Sequence, residues 1–109
     1  MIRFENKVAL VTGSSQGIGA ACAIRLAADG ADVILNGRKL DERGEEVIKK
    51  INDLGRRAHF IAADVSKAPN VVQLVNDAIG VYGQLDILVN NAGVEKNNDF
   101  WNVTEEEYD

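Results

Sequence analysis

Four short apolar runs alternate with three stretches of helical periodicity, and no hairpin turn joins any two of the runs. The runs cover residues 7–11, 32–35, 58–63 and 85–89, and each reads as a buried strand. Between them, residues 20–29 are rich in Ala and Leu, with Gly30 placed to stop a helix. Val47, Ile48, Ile51 and Leu54 recur at helical spacing within residues 41–54, and Gly55 ends that segment. Val71, Val75, Ala78, Ile79 and Tyr82 predict the apolar face of a third helix, with Pro69 near its start and Gly83 after it. Alternation of this kind is built from parallel βαβ units, whose right-handed crossovers lay helices on both faces of one sheet. The expected strand order is 3-2-1-4. In such sheets ligands bind in the crevice between the first and fourth strands, outside their carboxyl ends.

The first strand runs directly into residues 12–19, Thr-Gly-Ser-Ser-Gln-Gly-Ile-Gly. A strand that enters a helix through closely spaced glycines can hold a phosphate, because the helix start leaves N–H groups without partners and its dipole favours negative charge. Gly13 can adopt backbone angles closed to other residues, Gly17 lets the chain approach a pyrophosphate, and Gly19 permits tight helix-to-strand contact. The expected architecture is therefore a Rossmann-like, doubly wound α/β sheet with a nucleotide cofactor at its carboxyl edge. About 20 residues past the glycines, such folds place the group that reads the adenosine ribose, an acid where the 2′-OH is free. Here that place holds Asn36-Gly-Arg-Lys39. A guanidinium at Arg38 suits a 2′-phosphate through paired charge-assisted hydrogen bonds. This favours NADP, with NAD and a merely solvated basic loop tip as the alternatives.

Composition narrows the remaining classes. A net charge of −5 and a pI near 4.8 argue against a general nucleic-acid binder. No apolar stretch approaches the ~20 residues of a membrane span, and the first residues lack the apolar core of a signal peptide. The single cysteine, Cys22, forms no disulfide within these residues and suits the reducing cytoplasm. Cys22 reads as a small core residue, and His59, the only histidine, as a partly buried structural one. Neither belongs to a ligand set for a metal.

Three motifs in order carry a resemblance to the short-chain dehydrogenase/reductase family, over essentially the whole chain. They are the glycine turn, residues 63–66 (Ala-Asp-Val-Ser), and residues 86–93 (Asp-Ile-Leu-Val-Asn-Asn-Ala-Gly). The glycine spacing resembles the family's oxidoreductase-rich branch rather than its sugar-nucleotide epimerases. The resemblance implies that Gly13, Ser14, Ser15, Gln16, Gly17, Ile18 and Gly19 surround the phosphates and adjoining ribose. It implies Arg38 at the 2′-phosphate, Asp64 at the adenine amino group and Val65 against the ring. Asn90, Asn91, Ala92 and Gly93 would line the riboses. Thr12 and Asn90 also read as ties between the first and fourth strands, while Asp86 reads as a solvated charge without a role.

The activity implied is NADP(H)-dependent interconversion of a carbonyl and an alcohol by hydride transfer, in a protein that forms homo-oligomers. The family's general acid/base is a Tyr in a Tyr-x-x-x-Lys arrangement, its pKa lowered by the nearby Lys, with a Ser that holds the substrate oxygen. Tyr82 has Asp86 four residues on, and Tyr108 is followed here by Asp109 alone, so no catalytic residue can be assigned. Phe100 and Trp101 read equally as a substrate wall or as packing. Thr104 and Glu107 form the pattern of a capping box just before Asp109. The expectation is thus one half-domain, residues 1–109, that binds cofactor and is inactive alone. A non-catalytic nucleotide- or partner-binding module and an inactive fragment are the alternatives.

Overall fold

The computed structural model describes residues 3–91. Its elements run β1 (Val8–Val11), α1 (Gly17–Ala28), β2 (Asp32–Gly37), α2 (Glu42–Asp53), β3 (Ala58–Ala62), α3 (Ala68–Tyr82) and β4 (Ile87–Val89). All pairings are parallel, in the order β3-β2-β1-β4. The expected Rossmann-like sheet is present.

Side-chain alternation along the strands divides the core in two. Val33 and Leu35 of β2 face Ala23, Ala27, Val47 and Ile51 from α1 and α2. Ile34, between them, joins Val8, Leu10, Leu74 and Ala78 on the opposite face, under α3. Every residue of β1 is buried, because helices cover it on both sides and strands flank it on both edges.

Local chemistry sets the element ends. Asp41 caps α2 by accepting from the Gly44 N–H at 3.1 Å. Gly83 closes α3 in the left-handed region, at φ 83°. At the amino end of the sheet, the Asp86 N–H donates to the Val8 carbonyl and the Val8 N–H donates to the Asp86 carboxylate, both at 2.9 Å. Gln84 donates to the same carboxylate at 2.7 Å and to the Asn6 carbonyl at 2.9 Å. Asp86 is therefore a fastener between β1 and the approach to β4, not a charge without a role. Beside it, Arg57 forks onto Asp32 at 2.6 and 2.9 Å, with its guanidinium carbon 4.1 Å from the centre of the Tyr82 ring.

Five further expectations need correction. Helix α1 starts at Gly17, within the glycine turn, rather than after it. Strand β2 continues through Asn36 and Gly37, because both keep pairing with Ile61 and Ala62. His59 is exposed: it stands opposite Ile34 on the α3 face, but in the outermost strand. On α3 the buried centre is Leu74 with Ala78, one turn apart, while Ile79 is 42% exposed. Leu54, at the end of α2, is likewise exposed. Among the described residues no helix is long and apolar enough to cross a membrane.

Candidate cofactor-binding site

The glycine turn is held from three sides. Thr12 donates its N–H to the Val89 carbonyl at 3.0 Å, and its hydroxyl lies 3.2 Å from Asn90 Oδ1. This is the expected tie between the first and fourth strands. Ser14 is fully buried and exchanges backbone and side-chain hydrogen bonds with Asn36: the Ser14 N–H donates to the Asn36 carbonyl, and the Asn36 N–H donates to Ser14 Oγ, each at 2.9 Å. Its hydroxyl and its N–H are thus both engaged by β2. From the far side, Asn91 Nδ2 donates to the Gly13 carbonyl at 3.1 Å.

Gly19 sits where these parts meet. A Cβ there would overlap the Gly13 carbonyl and stand 2.7 Å from Asn91 Nδ2, so only glycine lets α1 approach this closely. Gly13 and Gly17 both take left-handed backbone, at φ 59° and 61°. A Cβ on Gly17 would meet nothing within 4 Å, so that side of the turn is open. Gln16, Gly17 and Ile18 are exposed, and Ile18 is 73% accessible despite its apolar side chain. No side chain caps α1 and no acid lies in its first turn, so its leading N–H groups are left for an anion.

The adenosine side of the site is formed by the ends of β2 and β3. Arg38 is exposed immediately after β2. Asp64, beyond β3, accepts from the Ser66 hydroxyl at 2.7 Å and from its N–H at 3.0 Å. Those bonds, then the positive charges of Arg38 and Lys67, hold the Asp64 carboxyl below the usual range. Val65 is half-buried and touches the core cluster under α3.

Thus the fold gathers Gly13, Ser15, Gln16, Gly17, Ile18, Gly19, Arg38, Asp64, Asn90 and Asn91 at one edge of the sheet. Ala92, Gly93, Phe100, Trp101, Thr104 and Glu107 lie outside the described residues. Two residues were not anticipated. Asn36 is 1% exposed and accepts from the Gly13 N–H at 3.3 Å, while its Nδ2 donates to the Ile61 carbonyl at 3.1 Å and the Ala63 carbonyl at 3.4 Å. A polar amide at the end of an apolar run is the signal for it. Arg43, in the first turn of α2, donates to Gln16 Oε1. Nothing in the sequence pattern marked that contact.

A turn with an open glycine face, uncapped helix N–H groups and an exposed guanidinium after the second strand fits a dinucleotide-binding protein. Comparison with known proteins agrees. The short chain dehydrogenase family model matches residues 7–109, and the chain belongs to the short-chain dehydrogenase/reductase family. A short-chain dehydrogenase/reductase of Pestalotiopsis microspora is 49% identical over 107 residues, which are 98% of this chain and 40% of that protein. A crystal structure of a short-chain dehydrogenase from Burkholderia cenocepacia, in complex with NADP, is similar at 51% identity and a TM-score of 0.76. That match covers 81% of this chain and 36% of the other. An NADH-dependent reductase complexed with NAD matches at 33% identity and a TM-score of 0.74, over 80% of this chain and 36% of its own. The chain therefore spans well under half the length of these relatives.

Proposed function

We propose that this chain is the cofactor-binding part of an NADP(H)-dependent oxidoreductase that interconverts a small carbonyl compound and its alcohol. The observation that carries the choice of cofactor is Arg38, exposed at the end of β2 with no carboxylate within ion-pair distance among the described residues. In that place an acid would accept from a free 2′-OH, whereas a guanidinium receives a 2′-phosphate.

In this reading the uncapped N–H groups at the start of α1 receive the pyrophosphate, since Asn36 already holds those of Gly13 and Ser14. Asp64 accepts from the adenine amino group, and Asn90 and Asn91 set the level of the riboses at the carboxyl end of β4. Asn91 also holds the Gly13 carbonyl, so the two sides of the crevice keep a constant spacing. When bound, the nicotinamide supplies the hydride chemistry. No Tyr-x-x-x-Lys occurs within residues 1–109, so the group that moves the proton is not among them. These residues by themselves bind cofactor without turnover.

The test is a pair of titrations on the wild-type protein and Arg38→Ala, with NADPH and with NADH. The expected result is a loss of about tenfold for NADPH, the worth of a charge-assisted hydrogen bond at an exposed site, with NADH little changed. Equal losses for the two dinucleotides overturn the NADP assignment.

A further inference from the structure

Three cations, Arg38, Lys39 and Arg43, follow one another closely where β2 passes into α2. Arg25, Lys49 and Arg57 each lie 3.8 Å or less from a carboxylate. Among the described residues, Arg38, Lys39 and Arg43 have no such partner. Arg43 is also directed: its guanidinium donates to the side-chain carbonyl of Gln16, in the glycine turn. Gln16 is neutral, so the bond orients the guanidinium without cancelling its charge.

The backbone beneath explains why Arg38 and Arg43 flank one spot. A Cβ on Gly37 would stand 2.9 Å from Ser15 Oγ, and one on Gly44 would stand 3.5 Å from the same atom. The glycine before Arg38 and the glycine after Arg43 therefore close on a single serine. The end of β2 and the first turn of α2 meet over Ser15, with one arginine carried on each. Glu42 and Glu45 share that turn of α2, so an anion approaching it needs a cation in front of them.

We infer that Arg43, oriented by Gln16, is a second guanidinium for the 2′-phosphate of the bound adenosine, so that selectivity rests on an arginine pair rather than on Arg38 alone. The inference builds on the NADP reading above. A phosphomonoester offers three oxygens, enough for two forks from different sides. The competing account is that Arg43 merely fastens α2 to the glycine turn.

The experiment is calorimetric binding of adenosine 2′,5′-bisphosphate and of 5′-AMP to the wild-type protein and to the Arg43→Ala, Arg43→Gln and Arg38→Ala variants. Arg43→Ala is expected to weaken the bisphosphate about tenfold and leave 5′-AMP unchanged. Arg43→Gln, which keeps a donor for Gln16 but no charge, should show the same selective loss. Unchanged binding, or equal losses for both ligands, overturns the proposal and makes Arg43 a fastener. If Arg38→Ala alone abolishes the preference for the bisphosphate, the NADP reading stands and the pair does not. A wild-type protein that binds the two ligands equally overturns both.

Discussion

Asn36 joins three strand ends through one side chain. Its amide oxygen holds the Gly13 N–H, and its nitrogen holds carbonyls at the end of β3 and just past it, with the amide itself buried and its partners half-buried. A buried polar group without a partner costs about 1–3 kcal/mol. Asn36→Leu orphans one donor and two acceptors together, so a loss of about 3 kcal/mol is expected, read as a lower urea midpoint. A shift below about 0.5 kcal/mol would show that the backbone finds other partners. The sequence marked the place but not the job. In the sequence Asn36 only follows the run 32–35 and Arg38 stands out beside it, because one sequence does not show which carbonyls a buried amide reaches. Ser14 is a parallel case. Its position in the turn was legible, but the direction of its hydroxyl, toward β2, was not.

At the level of elements, periodicity served well where both helix faces differ strongly. Helix α2 carries charges around a narrow apolar stripe, and Val47 and Ile51 are buried as expected. Helix α3 is apolar nearly all round, with Val71, Val72, Leu74, Val75 and Ile79 spread over several directions. Pattern alone could not choose its inward side, and contact with Leu10 and Ile34 decides for Leu74. The same helix contains an avoidable weakness. Gly80 is exposed, helical and free of neighbours within 4 Å of an added Cβ. Gly80→Ala should stabilise the fold by about 0.5–1 kcal/mol, by restricting the unfolded chain and favouring helix. A rise in Tm would be the sign, and a fall would mean that a neighbour occupies that space in solution.

For the molecule as a whole, the carboxylates of Asp32, Asp64 and Asp86 set the response to acid. Burial raises the Asp32 carboxyl, but bonds from Arg57 outweigh it and the net shift is downward. Asp86 is lowered chiefly by the Val8 N–H, with help from Gln84. A carboxyl whose folded pKa lies below its unfolded value binds fewer protons when folded. It stabilises the fold fully above the unfolded value, about pH 4, and that stability fades as pH falls through the folded value. Asp86→Asn should therefore flatten the fall in Tm below about pH 4 and cost about 1 kcal/mol at neutral pH. An acid limb identical to wild type would remove Asp86 from this role. Topology was the most legible property of all, since alternation and the rule of right-handed crossovers leave few arrangements open. The fastening of the two ends of β1 to the neighbourhood of β4 was not legible, because those bonds join residues 77 or 78 positions apart. That separation has a consequence for the chain as it is made. The glycine turn leaves the ribosome early, yet the amide that holds its carbonyl belongs to Asn91. Contacts of such long sequence separation form late. Until the fourth strand has emerged, the glycine turn lacks its tie to Asn91, and the dinucleotide site proposed above is incomplete in the newborn chain.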